Sequence, residues 1–503
     1  MTKSDLKDHL PLVFLIALAA VLIFTNLSNQ YLWQDEAETA VLARNVLKFG
    51  FPRAFDGVNF VNPRLAEWYG VGFGSNNAWL YHPWVQFYVT AFSFLLFGVS
   101  TFSARFPFAV LGVINVYLTY RLARRLTGDK DTAVISALLL VLSVPYLLLM
   151  RQSRYYALAV FLVLLILIFY SKFRGEGKAG DLGLLAACMI TLGYTVHGML
   201  VPVFAAIAAH FILFERDRKR ILMMFLAAIV VIGAVVPWFL ISDSAAHAGP
   251  LTAKKIGQNF EFLIRVINKY IFPVFFFIAV YLAWAIKKKR IGPALSRKEI
   301  EALALIGAIA AAGIGAFSFA EQRHFRYMVY FIPLLGIAEG MVLSRWYSRS
   351  RAAVVIFLGI SLGTGVFNQA PPNFFLPKYF YEITHDYDGP IEGIVKFLSA
   401  NAREGDEVKI IYGDLPLIFY TGLKIDNTWV YDDSHMPKWV IFRRGWHEQL
   451  DNEYYTKIQK TYKRHILRYP DIMWENRPDD LGYHKFWTDT DTPGVIVFER
   501  PEK

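Results

Sequence analysis

One cysteine in 503 residues, Cys188, leaves this chain unable to form an intramolecular disulfide or a thiolate metal site. No Gly-rich loop of the P-loop or dinucleotide-binding type occurs, so the sequence offers no nucleotide site. Internal repeats and low-complexity segments are missing, and acids are scarce inside the apolar runs. What the chain has in abundance is hydrophobic side chains, 55 % of all residues, with a mean hydropathy of +0.36. That apolar fraction is high for a soluble protein of this size.

Apolar runs of about 15–21 residues, separated by short basic clusters, identify a polytopic α-helical membrane protein. The first run, "LPLVFLIALAAVLIFTNL", follows only Lys3 and Lys7 and lacks a small-residue cleavage site, so it is expected to be a retained span and not a signal peptide. Basic clusters recur after alternate runs: "RLARRLTGDK", "SKFRGEGK", "ERDRKR", "KKKRIGPALSRK" and "SRWYSRSR". Placing all five in the cytoplasm satisfies the positive-inside rule. The net charge of +11 thus reports topology and gives no sign of a nucleic-acid partner.

This arrangement predicts about eleven spans, over 11–28, 105–122, 131–149, 157–170, 181–197, 199–214, 221–241, 271–286, 300–319, 326–343 and 352–367. The N-terminus then lies inside and the C-terminus outside. One further run, 83–98, is short for a crossing, and counting it would invert every later loop. It is expected to be a juxtamembrane or re-entrant helix in the first external loop, 29–104. From about residue 368 the apolar runs stop. The sequence divides into a membrane domain, 1–367, and a small extracytoplasmic α/β domain, 368–503, with "PIEGIVKFLSANAR" helical and "EVKIIYG" and "GVIVFERP" as strands.

Just past the first run, "NQYLWQDEAETAVLARNVLKFGFP" places Asp35 and Glu36 beside the membrane, where carboxylates are costly to keep. One acid suffices to cap a helix, so Asp35, Glu36 and Glu38 together exceed that need. Glu38 is expected to be a solvated first-turn acid. The same side is expected to carry His82, Arg151, Arg154, Tyr155, Tyr156, Arg323, His324, Arg326 and Tyr327. Each arginine alone fits a snorkelling anchor equally well. As a set they defy the depletion of positive charge from external loops. Guanidinium groups recognise phosphate by paired, charge-assisted hydrogen bonds, and a carboxylate beside an incoming hydroxyl takes its proton. A sugar on a lipid phosphate supplies both the leaving group and the tether.

The stretches "DEAETAVLARNVLKFGFP", "YHPWVQFYVTAFSFLLFGVSTFSARFPFAVLGVINVYLTYRLARRLTG" and "RQSRYYALAVF" resemble the GT-C glycosyltransferases. The likeness is to the bacterial branch related to the protein O-mannosyltransferases and to the lipid A aminoarabinose transferase. It is strongest over residues 30–170 and returns at Arg323–Gly340. It implies a GT-C fold, a polyprenyl-phosphate sugar donor bound at the outer face, and transfer with inversion to a lipid, glycan or protein acceptor. The family's first-loop acid matches Asp35, the expected catalytic base, with Glu36 supporting it. Arg151, Arg154, Arg323 and Arg326, with His324 and Tyr155, are candidates for the donor phosphate. His82, Trp33, Trp68 and Tyr69 are weaker candidates for contacting the substrate, and the aromatics serve as well in an interfacial belt. Relatives often carry a proline pair where this chain has Pro83 followed by Trp84, so the local turn differs. Some relatives use a divalent metal; Asp35 with Glu36 is too small a ligand set to expect one. A ligase or polymerase of lipid-linked oligosaccharides, and a lipid or sugar transporter, remain open alternatives.

The topology is testable in a Cys188→Ala background. A cysteine placed in Gly128–Lys130 should stay unlabelled by an impermeant thiol reagent added from outside, and efficient labelling would invert the assignment.

Overall fold

The computed structural model describes residues 3–63, 73–74, 76–242, 252–271, 273, 276–277, 295–368, 371–428, 435–444, 452–472 and 484–502. Its helices begin with α1 (Lys3–Phe24), α2 (Gln34–Phe49), α3 (Val85–Phe97), α4 (Thr101–Thr127), α5 (Lys130–Val141) and α6 (Val144–Met150). They continue with α7 (Tyr156–Glu176), α8 (Ala179–Phe214), α9 (Arg218–Ile241), α10 (Ala253–Val266), α11 (Arg297–Ser318), α12 (Phe331–Tyr347) and α13 (Arg351–Thr364). The C-terminal part adds α14 (Phe375–Thr384), α15 (Pro390–Asn401), α16 (Asp414–Tyr420) and α17 (Asn452–Thr461). Five strands accompany them: β1 (Glu407–Ile410), β2 (Lys424–Asp426), β3 (Trp439–Ile441), β4 (Lys463–Pro470) and β5 (Gly494–Glu499).

The chain forms two compact units, Met1–Thr25 with Phe108–Phe380, and Asn26–Pro107 with Tyr381–Lys503. This differs from a division near residue 367. Composition separates apolar from polar sequence, whereas the polar first loop folds with the C-terminal residues.

In the first unit, α4, α7, α8, α9 and α11 are long and apolar enough to cross a membrane, and α5 with α6 makes a sixth if that pair, bent by 66°, is one span. Fewer continuous crossings than eleven therefore stand among the described residues, because several apolar runs are short or broken. The expected turn at His197 appears as a break within α8, where Val196 is extended (φ −160°, ψ 94°). Most of the expected span 271–286 lies outside the described residues. Helices α12 and α5 meet at Gly340, where a Cβ would strike the Ser136 hydroxyl and approach the Thr132 carbonyl. Small residues at such crossings let helix backbones come close. Glu339 lies in the middle of an apolar helix, buried in α12.

In the second unit, α3 is 13 residues long. At 1.5 Å per residue that is about 20 Å, short of a hydrocarbon core of about 30 Å. Gln86, Phe87, Thr90, Ala91 and Phe94 face inward, while Tyr88, Phe92, Leu95 and Leu96 are exposed. The mixed sheet has the order β2-β1-β3-β5-β4, with β1 parallel to β2 and β3, and β5 antiparallel to β3 and β4. Helix α15 and strands β1 and β5 fall where the sequence places them. The apolar faces of α2 and α3 join Ile394, Leu398, Val408, Leu417, Trp439 and Val497 in one core. Polar bonds across more than 350 positions reinforce it. Asn59 bridges the Leu423 carbonyl and the Ile425 amide at 2.9 and 2.8 Å, and Arg44 donates to the Ile418 carbonyl at 3.2 Å.

Glu392, buried in the first turn of α15, accepts from the Gly389 amide at 3.2 Å. Burial pushes its carboxyl up to about 7, with Asp388 and Asp386 adding to the rise and Lys396 opposing it. The folded state then holds a proton that the unfolded chain releases near the ordinary glutamate value of 4.5. Stability is therefore full below about 4.5 and falls as pH rises through about 7. Melting of the Glu392→Gln chain should lose this slope, and an unchanged slope would assign it to another group.

Candidate active site

Helix α2 positions the acids. Its sequence, "QDEAETAVLARNVLKF", is rich in helix formers, and Gly50 ends it in the left-handed region (φ 82°), its amide donating to the Val46 carbonyl. The N-cap is Trp33, which makes no side-chain cap bond. Neither Asp35 nor Glu36 is therefore the cap; both stand in the first turn, where acids complement the helix dipole.

The two neighbours have different surroundings. Glu36 is fully buried, and both its carboxylate oxygens are taken by Arg105: Nε donates to Oε1 at 2.8 Å and Nη2 to Oε2 at 2.7 Å. The remaining Arg105 donors reach the carbonyls of Leu27 and Gln30 at 2.8 Å and of Tyr31 at 3.3 Å. A planar guanidinium with five donors suits this double task, and lysine would not replace it. Arg105 lies within the stretch "FGVSTFSAR", yet nothing in the sequence shows which acid it meets. Asp35 is half-buried, one helical position before the locked Glu36.

Glu38 is not the solvated acid its first-turn position suggests. It is 5 % exposed, accepts from Asn62 Nδ2 at 2.6 Å, and lies 3.1 Å from His82 Nδ1. His82 thus joins the acid helix through Glu38. Gln34, just ahead of Asp35, donates to Asp414 at 2.6 Å and accepts from the Gly413 amide. The Tyr420 hydroxyl accepts from the Leu32 amide at 3.0 Å and contacts Thr101 Oγ1 at 2.7 Å. Trp33 is buried, which removes it from any surface that stacks on a sugar. Trp68 and Tyr69 lie outside the described residues.

The basic candidates, all in the first unit, divide in the same way. Arg151 Nη1 donates to the carbonyls of Ile23 and Thr25 at 2.7 Å, closing the end of α1. Arg323 is exposed, 5.9 Å over the Phe262 ring. Arg154 is buried, 5.7 Å over the Tyr155 ring, and Tyr155 also lies within electrostatic reach of Arg326 and Tyr327. His324 packs edge-on against Tyr327 at 5.4 Å and meets Gln322 at 2.9 Å. Two arginines of the four, Arg154 and Arg326, therefore lie within electrostatic reach of the same side chain, Tyr155. Among the described residues no three His, Cys, Asp or Glu side chains converge as metal ligands. With Glu36 held by Arg105, the acid pair does not offer a metal two carboxylates.

A membrane helix bundle with an acid-bearing first loop and a C-terminal α/β portion is the arrangement that the motif resemblance to GT-C glycosyltransferases implies. More particularly, residues 81–241 match the family of dolichyl-phosphate-mannose-protein mannosyltransferases. An uncharacterized protein of Aquifex aeolicus (strain VF5) is 27 % identical, the match spanning 55 % of this chain and 55 % of that relative's length. ArnT from Cupriavidus metallidurans bound to undecaprenyl phosphate is similar in structure, with a TM-score of 0.60 at 16 % identity over 98 % of this chain and 99 % of ArnT. The Archaeoglobus fulgidus oligosaccharyltransferase AglB, in complex with an inhibitory peptide and a dolichol-phosphate, aligns at a TM-score of 0.56 and 13 % identity, over 94 % and 75 % of the two chains. At these identities the structures establish the fold. The resemblance drawn from the motifs stands: this chain resembles the GT-C glycosyltransferases on the mannosyltransferase-like and ArnT branch.

Replacing Arg105 by Met should strand the Glu36 charge in the interior and cost about 3–5 kcal/mol of stability. Thermal unfolding of the purified chain measures it. Adding Glu36→Leu should recover part of the loss, and a single variant as stable as the parent would contradict the role of the pair.

Proposed function

We propose that this chain is an inverting glycosyltransferase that moves a sugar from a polyprenyl-phosphate donor to an acceptor hydroxyl at the outer face of the membrane. The observation that carries this reading is the unequal treatment of two adjacent acids. Arg105 engages both oxygens of Glu36, which makes Glu36 a positioning residue; the base role is assigned to Asp35, half-buried beside it in the first turn of α2 and matched by the motif resemblance to the family's first-loop acid. The likeness to proteins whose structures hold undecaprenyl phosphate or dolichol-phosphate supports a lipid-phosphate donor.

In the proposed step, Asp35 accepts the proton of the acceptor hydroxyl as its oxygen bonds to the anomeric carbon. The bond from that carbon to the phosphate oxygen breaks on the opposite face, its electron pair leaving with the polyprenyl phosphate. Configuration inverts. Arg154 and Arg326 are assigned to the phosphate, where fixed positive charge meets the negative charge that develops on the leaving group. Arg151 is set aside because its donors close α1. His82 and Glu38 are assigned to shaping the acid helix, and His324 to the aromatic cluster beside Arg326. The extracytoplasmic placement of residues 368–503 and the inner-membrane location belong to the same proposal.

Asp35→Asn should lower turnover about 100- to 10,000-fold while the melting temperature holds. Glu36→Gln should instead lower stability first. Near-normal turnover by Asp35→Asn with its true substrates would remove Asp35 from the base role.

A further inference from the structure

At the end of the bundle that carries the basic clusters, α4, α7, α8 and α11 enclose a cavity of about 340 Å³. Arg125, Arg174 and Lys298 line it, with Ser171, His210 and one acid, Glu301. Positive charge at this end of the helices follows from topology alone. Its convergence on one concavity does not, since cations set only by topology have no reason to share a wall.

The groups around the cavity show which donors are already used. His210 is buried; its Nε2 meets the Glu301 carbonyl at 3.0 Å, so that nitrogen carries the proton. Its Nδ1 then accepts from the Tyr170 hydroxyl at 2.7 Å, and the ring is a neutral wall. Arg125 bonds to the hydroxyl and carbonyl of Ser171 at 3.0 and 3.1 Å and lies 3.8 Å from Glu176. Arg174 pairs with Glu301 through Nη1 at 3.0 Å, and Arg297 shares the same carboxylate. The Arg174 Nε is buried with no hydrogen-bond partner. Lys298, one turn before Glu301, is exposed. Three cations against one acid leave the lining net positive, with donors to spare.

The flanks of the cavity favour a lipid over a soluble anion. Leu126, Ala302 and Leu305 also line the cavity, and Leu213 of α8, three positions past His210 and on the adjoining helix face, is 63 % exposed. Apolar side chains so exposed on membrane helices face acyl chains, so the anion's own tails would find cover there. Basic pockets between helices on the cytoplasmic side suit anionic headgroups. Arginine's fork matches two phosphate oxygens at once, whereas zwitterionic heads bring a compensating cation.

We propose that this cavity is a binding site for the headgroup phosphate of an anionic phospholipid of the cytoplasmic leaflet. The ligand sits against Arg174 and Lys298, with Arg125 and Ser171 behind them. The assignment does not depend on the reaction proposed above.

The test uses the full chain in zwitterionic detergent, titrated with phosphatidylglycerol, phosphatidylcholine or inorganic phosphate. Native mass spectrometry reads binding and thermal shift reads stabilisation. Phosphatidylglycerol should bind and raise the melting temperature, while phosphatidylcholine does neither. Arg174→Gln with Lys298→Gln should weaken phosphatidylglycerol binding at least tenfold. Should that pair fail to fold, Lys298→Gln alone, at an exposed position, should weaken it severalfold. Arg218→Gln with Lys219→Gln removes the same charge outside the cavity and should leave binding intact. Equal weakening by this control would mean diffuse charge attraction and overturn the site. Inorganic phosphate competing as well as the lipid would overturn the lipid assignment, and wild-type-like binding by the cavity variants would overturn the whole proposal.

Discussion

A charged pair out of reach of water is the constraint on which the second unit turns. Moving either Glu36 or Arg105 into the protein alone would cost several kcal/mol. Together, with both carboxylate oxygens engaged and three carbonyls absorbing the remaining donors, they become a hub that the surrounding chain must respect. The carbonyls belong to Leu27, Gln30 and Tyr31, so the pair fixes the stretch leading into α2. That stretch sets where the first turn of α2 begins, and with it the place of Asp35.

Everything else around the acid helix extends the same logic outward. Gln34 ties the first turn to Asp414, which Asn427 holds from its other oxygen at 2.7 Å. Farther along α2, Arg44 meets the carbonyls that end α16. Glu38 meets Asn62 and His82. The acid-bearing helix is thus held at its start, middle and far end by groups that have spent their hydrogen bonds on structure. Such support is what a general base needs, since its rate advantage depends on position as much as on chemistry. In the first unit, Arg151 donates to the carbonyls that end α1, while Arg154 and Arg326 lie within electrostatic reach of Tyr155.

Much of this was legible in the sequence, and the illegible part has a common cause. Helix periodicity and basic loops locate the apolar helices, the break near His197, the short α3, and the helix and strands of the C-terminal part, because these follow from local pattern. That the first-loop acids exceed what a cap needs was legible, and the N-cap is indeed Trp33 and none of the three. Their partners were not. Glu36 meets Arg105 across 69 positions, and Gln34 meets Asp414 across 380. No spacing rule reaches that far. The same blindness hid the burial of Glu38, which a helix start leaves open, and the capping task of Arg151, which a membrane-edge arginine does not announce. Composition also drew a boundary near residue 367 that the contacts of the first loop do not follow.

In the proposed reaction a lipid-phosphate sugar is consumed, with Asp35 as the base. Mass spectrometry of polyprenyl-phosphate lipids tests it most directly, in cells carrying the wild-type chain, the Asp35→Asn chain, or none. A glycosyl polyprenyl phosphate should accumulate equally in the mutant and the deletion, its mass identifying the sugar. If no such lipid builds up in either strain while the surface glycans still change, the donor class is contradicted, and a lipid-linked oligosaccharide ligase takes its place.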